Sequence, residues 1–266
     1  MPAPPYLLAE ATWKTVRSTP YTIALLPWGA TEAHNYHLPY ATDTLQCDHI
    51  AAESARRAWA QGARPVVLPT VPFGVNTGQL DIKLDLNLNP STQHLILRDL
   101  IHAISAQGIP KIAIMNGHGG NSFKQMLRQL QVEFPSTFLC TFNWYDAIDW
   151  SDFFEDLGDH AGEMETSLML HILPDLVAPL SEAGPGRARQ FAVHGLRERW
   201  VWAQRKWSEV TDDTGVGNPA QATAEKGAAL FNAVCDQIAH FLIEFDAADI
   251  NNMYEDADVT DTLPGR

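Results

Sequence analysis

The sequence predicts an α/β fold built on a mostly parallel sheet, and three observations predict it. Short apolar runs alternate with longer segments whose apolar residues recur at helical spacing. No internal repeat or linker-like stretch divides the 266 residues, so a single domain is expected over 1–266, with about 247–266 a loosely held tail. The residues suited to metal binding or catalysis fall in the loops that follow the apolar runs, where parallel sheets gather their ligands.

Taken in order, residues 22–26 (TIALL) form a buried strand that Pro27 closes. Residues 44–61 follow as a helix, with Leu45, Ile50, Ala51, Ala55, Ala58 and Trp59 on one face and Gly62 as the stop. A second strand is expected at 65–70 and a second helix at 91–107 with Ser91 as N-cap. The third pair is strand 111–116 and helix 121–134, and 136–144 supplies a fourth strand. Residues 72–90 alternate apolar and polar from Leu80 to Leu88, as an edge hairpin or an extended arm does. The stretch 189–217 brings Trp200, Trp202 and Trp207 together with three glycines, a pattern read first as core or subunit packing. A last helix is expected at about 219–245.

The composition narrows function. A chain that is 45% apolar and 19% charged is neither disordered nor of low complexity. Its 18 basic and 32 acidic residues give a net charge of −14, which argues against nucleic acid and anionic membranes as partners. Cys47, Cys140 and Cys235 form no CxxC pair and no disulfide framework, so reduced thiols are expected. No apolar stretch of membrane-spanning length is evident, and the first residues (MPAPPYLLAEATWK) lack the basic start and apolar core of a secretory signal, so a cytoplasmic location is expected.

Three segments carry the chemistry. Residues 27–44, directly after the first strand, hold Glu32, His34, His37 and Asp43. Glu32 and His34 are two apart and point the same way in extended chain, while Asp43 stands just before a helix and also suits an N-cap. Carboxylates with imidazoles and no thiolate suit Zn²⁺, Mn²⁺ or Fe²⁺ in a hydrolytic site. NGHGGN at 116–121 places His118 on a sharp turn that Gly117, Gly119 and Gly120 permit. DHAGEMETS at 159–167 offers His160, Glu163 and Glu165 at the start of a helix, with His160 and Glu163 on one face and Glu165 placed to orient a neighbour or cap backbone amides.

Glu-x-His with an Asp nine residues after the His, then NGHGGN, then HAGExETS, resembles the creatininase (creatinine amidohydrolase) family, and GNPAQATAEKG at 217–227 matches the family's entry to the last helix. The resemblance implies a three-layer α/β/α fold, two divalent ions per chain with Zn first and Mn or Fe as alternatives, and a homo-oligomer, usually a hexamer. It implies that Asp43 bridges the two ions, that Glu32 and His118 complete one and that His34 binds the other. His160 corresponds to the family's catalytic His, and Glu165 is expected beside it as a second catalytic residue. Creatininase takes a further Glu ligand two residues after the His of the third-strand loop, where this chain has Gly120, and a pocket Tyr where this chain has Gly119. Glu163 is the expected replacement ligand.

The implied reaction is hydrolysis of a non-peptide C–N bond, a cyclic amide or formamide of a small molecule, by a metal-activated water with His160 as proton donor. A binding protein that keeps the fold without turnover is the alternative that Gly120 favours. A phosphate or nucleotide site on the NGHGGN loop would rest on Asn121, Ser122 and Lys124, a poor match to a phosphate-binding loop.

Overall fold

The computed structural model describes residues 4–151, 153–156 and 158–256. Four parallel strands, β1 (Ile23–Trp28), β2 (Pro65–Val67), β3 (Lys111–Asn116) and β4 (Phe138–Asn143), lie in the order β2-β1-β3-β4. Ile23 pairs with both Pro65 and Lys111, and Lys111 with Phe138, so the strands start level. Trp28, Asn116 and Asn143 then end three of them together at one edge of the sheet.

Every residue of β1 and β3 is buried, which a strand covered on both faces requires. Their side chains alternate between two cores. Ile23, Leu25, Ala113 and Met115 face helices α2 (Thr42–Ala60), α5 (Glu163–Ile172) and α8 (Ala224–Ala247), meeting Ile50, Ala51, Leu168, Val234 and Ile238. Ala24, Leu26, Trp28, Ile112 and Ile114 face α3 (Pro90–Ala106) and α4 (Lys124–Glu133), meeting Leu97, Ile101, Leu127 and Leu130. The result is the α/β/α sandwich that the resemblance implies. Each fully buried Leu or Ile contributes about 1.5–3 kcal/mol of transfer free energy. Short helices α1 (Trp13–Ser18), α6 (His194–Arg197) and α7 (Trp207–Val210), with 3₁₀ turns at Trp144–Asp146, Pro174–Leu176, Leu180–Glu182 and Pro219–Gln221, are the other helical elements of the described residues.

Several boundaries differ from the sequence reading for local reasons. Helix α3 begins on Pro90, whose fixed φ suits the first helical position, and Asn89 rather than Ser91 stands at its N-cap. Helix α4 begins at Lys124 rather than 121, because the Asn121 side chain is committed to Val75 N, Gln93 and Asn116. Asp43 lies inside the first turn of α2 rather than capping it. Helix α8 starts at Ala224, capped by Thr223, after a single 3₁₀ turn at Pro219–Gln221. By length and composition α8 could cross a membrane, yet its Leu230, Val234, Ile238 and Leu242 are buried in the core.

Residues 72–90 form no hairpin. They run as an irregular arm across the carboxyl edge, tied by isolated bridges of Val71 to Trp28 and Leu86 to Thr31. The alternation is inverted relative to a core-facing strand, since Asp85 is buried while Leu80, Leu84 and Leu86 are exposed. Of the three clustered tryptophans only Trp207 packs inside this chain; Trp200 and Trp202 are 75% and 82% exposed. Helix α8 runs to Ala247, where the tail expected at about 247–266 starts, and residues 257–266 lie outside the described residues.

Candidate metal centre

The centre is assembled at the carboxyl edge by the loops the sequence singles out. After Trp28 the chain turns at Gly29, where a Cβ would stand 2.7 Å from Thr44 N, so the loop packs directly against the start of α2. That approach brings Glu32 and His34 against Asp43, whose carboxylate in the first turn of α2 is favoured by the helix dipole. His118 follows β3 by two residues, and Gly117 is required there because a Cβ would strike Cys47 Sγ. His160 precedes α5 on a loop in which Ala161 has φ 51°, a left-handed conformation that non-glycine residues seldom adopt.

All these groups are buried. His34 Nε2 lies 3.0 Å from Asp43 Oδ1 and 3.8 Å from Glu165 Oε1. His118 Nδ1 lies 2.9 Å from Glu32 Oε1 and 3.1 Å from Asp43 Oδ2. His160 Nδ1 lies 3.8 Å from Glu32 Oε1, and its ring centroid is 4.1 Å from that of His34. Two triads, Glu32–Asp43–His118 and His34–Asp43–Glu165, each bring three donor atoms within 4.8 Å of one another and share Asp43. A third, Glu32–His34–His160, adjoins both.

Each imidazole spends its other nitrogen on a main-chain carbonyl. His34 Nδ1 donates to Glu32 O at 3.1 Å, His118 Nε2 to Val75 O at 3.1 Å and His160 Nε2 to Ala33 O at 2.8 Å. A carbonyl can only accept, so the ring proton is fixed there and the second nitrogen turns its lone pair, or a second proton, toward the carboxylates. Histidine ligands are held to metals in this way. Asp43 Oδ2 is buried without an aligned hydrogen-bond donor, a cost that a cation removes. The donor set and its geometry therefore fit divalent cations.

The charge balance agrees. Burial opposes the charge on Glu32, yet His118, His160 and His34 hold its carboxyl well below the usual range. Burial likewise opposes charge on His34, but Asp43 and the carboxylates beyond it raise the ring to about 10. His118 is raised for the same reason by Glu32 and Asp43. Without a cation these rings hold protons, and a cation takes the place of those protons. His37 stays apart: burial and the His34 charge lower it to about 4, and its Nε2 meets Thr166 Oγ1 at 2.8 Å.

A model of the Creatininase family, described as creatinine amidohydrolase, matches residues 9–242. The chain belongs to the creatininase family. The mycofactocin precursor peptide peptidase of Mycolicibacterium smegmatis is 28% identical over 231 residues, covering 81% of this chain and 84% of that protein. The creatinine amidohydrolase of Pseudomonas putida is 26% identical over 199 residues, covering 64% and 73%. A crystal structure from Bacteroides fragilis, provisionally assigned as a creatinine amidohydrolase, is 41% identical with a TM-score of 0.88 over 94% of this chain and 98% of its own. Zn–Zn and Mn creatininase structures, 23% and 22% identical, share the fold with TM-scores of 0.74 over 91% of this chain and 99% of theirs.

The structure places the two glutamates of the HAGExETS segment differently. Glu163 does not join the donor triads. Its Oε2 accepts the amides of Glu155 and Asp156 at 2.9 Å, and its Oε1 pairs with Lys226, so both oxygens are spent. Glu165, two residues on, reaches His34 and Asp43 instead, while its other oxygen accepts from Ala161 N. Gly120 has no room for a side chain, since a Cβ would strike both Val75 O and the His118 ring. Gly119 faces open space.

Sequence reasoning missed the arm. Gln79 Nε2 donates to Glu32 Oε2 at 2.5 Å, and Asp85 Oδ1 accepts from Ala33 N at 2.7 Å, between Glu32 and His34. A cavity of 580 Å³ opens over the cluster, walled by Tyr145, Trp150, Trp202, Arg205 and Trp207.

Proposed function

We propose that this creatininase-family protein is a metal-dependent amidohydrolase that cleaves a non-peptide C–N bond, a cyclic amide or formamide, in a small molecule. The observation that carries the reading is the shared position of Asp43 between two donor triads, one buried and the other half-buried only at Glu165. Glu32 and His118 would hold one ion with Asp43; His34 and Glu165 would hold the second. When bound, the ions supply a water of lowered pKa and polarise the amide carbonyl. His160 would move the proton: its Nε2 donates to Ala33 O, which turns Nδ1 toward Glu32 and the donor cluster. From there Nδ1 takes a proton from the attacking water and returns it to the departing nitrogen. Trp207 packs edge-on against the His160 ring at 5.4 Å and fixes its plane.

Glu165 supplies the donor that Gly120 lacks, which weighs against a fold that has lost turnover. A peptide amide is the second reading, favoured by the width of the cavity and by the peptidase named among the relatives. Elemental analysis of protein purified without chelator, with a screen of formamides, cyclic amides and short peptides, tests the proposal. About two ions per chain and amide turnover that Asp43→Asn abolishes are expected. Metal content near zero that added Zn or Mn does not restore overturns it. The oligomer that the family resemblance implies is read by sedimentation of the same sample.

A further inference from the structure

We infer that the groove beside the cavity receives an anionic extension of the substrate, so that the hydrolysed amide belongs to a molecule bearing carboxylate or phosphate groups beyond the bond that is cut. The inference rests on the hydrolase reading above. The groove has a volume of 720 Å³ and borders the cavity, with Asp159, Trp202, Ala203, Gln204 and Arg205 lining both.

Its charge is opposite to that of the protein. Arg189, Arg197, Arg199, Arg205 and Lys206 line it against only Asp159 and Glu209, in a chain of net charge −14. A cleft with an excess of one sign of charge draws in a ligand of the other. Three of the five cations have close carboxylates: Arg189 with Asp212, Lys206 with Glu209, and Arg205 with Asp159. Arg197 has only Glu198, 3.9 Å from its Nε, and Arg199 has no ion-pair partner among the described residues. One Arg197 nitrogen, Nη1, donates to Phe191 O and Ala192 O, which leaves its Nη2 and the Arg199 guanidinium to a ligand, and the planar fork of arginine matches carboxylate and phosphate oxygens.

Arg205 stands at the junction. One of its nitrogens donates to Asp159 at 2.6 Å, and its guanidinium lies 4.5 Å from the Trp207 ring, the ring that packs on His160. A substrate whose amide lies over the donor cluster therefore passes Trp207 and Arg205 before its tail reaches Arg197 and Arg199. A neutral small amide uses the cavity alone and leaves the groove idle.

The test uses the metal-loaded full chain and three amidated probes: N-formylglycine extended by two glutamates, by two phosphoserines, or by two glutamines. Binding is read by quenching of tryptophan fluorescence at low salt, within seconds of mixing. The charged probes are expected to bind at least about tenfold more tightly than the glutamine probe. That preference should shrink on adding salt, and in the double variant Arg197→Gln/Arg199→Gln it should fall below about threefold. Preference for both charged tails assigns the groove to anions generally; preference for one names the group. Metal content and melting temperature report that the double variant is folded. Equal binding of all three probes, or a preference that survives in the double variant, overturns the inference. So does a double variant whose oligomeric state shifts while the preference holds, which would make the groove a subunit contact. Absence of metal or of amide turnover in the same samples counts against the hydrolase reading and leaves the binding ratio to be judged separately.

Discussion

Gln79 donates a 2.5 Å hydrogen bond to the Glu32 oxygen that faces away from His118, so the arm and the donor cluster share a buried polar link. The same arm receives the His118 ring at Val75 O and braces Ala33 through Asp85. Groups that orient ligands in this way typically govern metal affinity by 10- to 100-fold. Gln79→Leu should therefore weaken metal binding by about that factor in a chelator competition, with the melting temperature of the metal-free protein little changed. Unaltered affinity would show that Glu32 needs no such support.

Glu163 and Glu165 are two residues apart and do different work. Glu165→Gln should halve the metal content, because one donor triad loses the carboxylate that it does not share. Glu163→Gln should leave metal content intact and lower stability by about 1–3 kcal/mol, since Lys226 and two backbone amides lose a charged acceptor. Elemental analysis and denaturant melts of the two variants separate the roles; the opposite pattern would restore Glu163 as the ligand.

Neighbouring glycines in the third-strand loop should respond unequally. Gly120→Ala forces a methyl against Val75 O and the His118 ring, so a loss of about 1–3 kcal/mol and reduced metal content are expected. Gly119→Ala meets open space and should change neither. Thermal melts with metal analysis check both.

Asp85 gives a pH signature. Burial is the main cause that raises its carboxyl from 3.8 to about 7, with Glu32 adding to the effect and the bond from Ala33 N opposing it. A carboxyl raised in the folded state contributes stability below its unfolded value, and that contribution is lost as pH rises through the folded one. In metal-free protein, Asp85→Asn keeps the acceptor for Ala33 N and removes the charge. Its melting temperature should exceed that of the wild type by an amount that grows from about pH 4 to pH 7 and then levels. A constant difference across that range would place the titration elsewhere.

The layers were legible because β1 and β3 are short apolar runs covered on both faces, and each sits between helices of clear periodicity. The meeting of Glu32, His34, Asp43, His118 and His160 was legible because their motifs fall in short segments beside strand ends and helix starts. The choice between Glu163 and Glu165 was not. It turns on Lys226, sixty-three residues away, which neutralises the first and leaves the second to the cluster. The arm was illegible for a related reason. Alternation from Leu80 to Leu88 suggests a strand with its leucines inward, whereas hydrogen bonds to Glu32 and Ala33 draw its polar residues in.

The donor groups come from four stretches of chain between residues 32 and 165, yet both hydrophobic layers close without them. A cation bound at this edge would thus be a removable clasp on a body whose cores do not depend on it. Its loss would free loops for a protease while the sandwich beneath stays intact, so susceptibility to cleavage and resistance to heat would answer to different parts of the molecule.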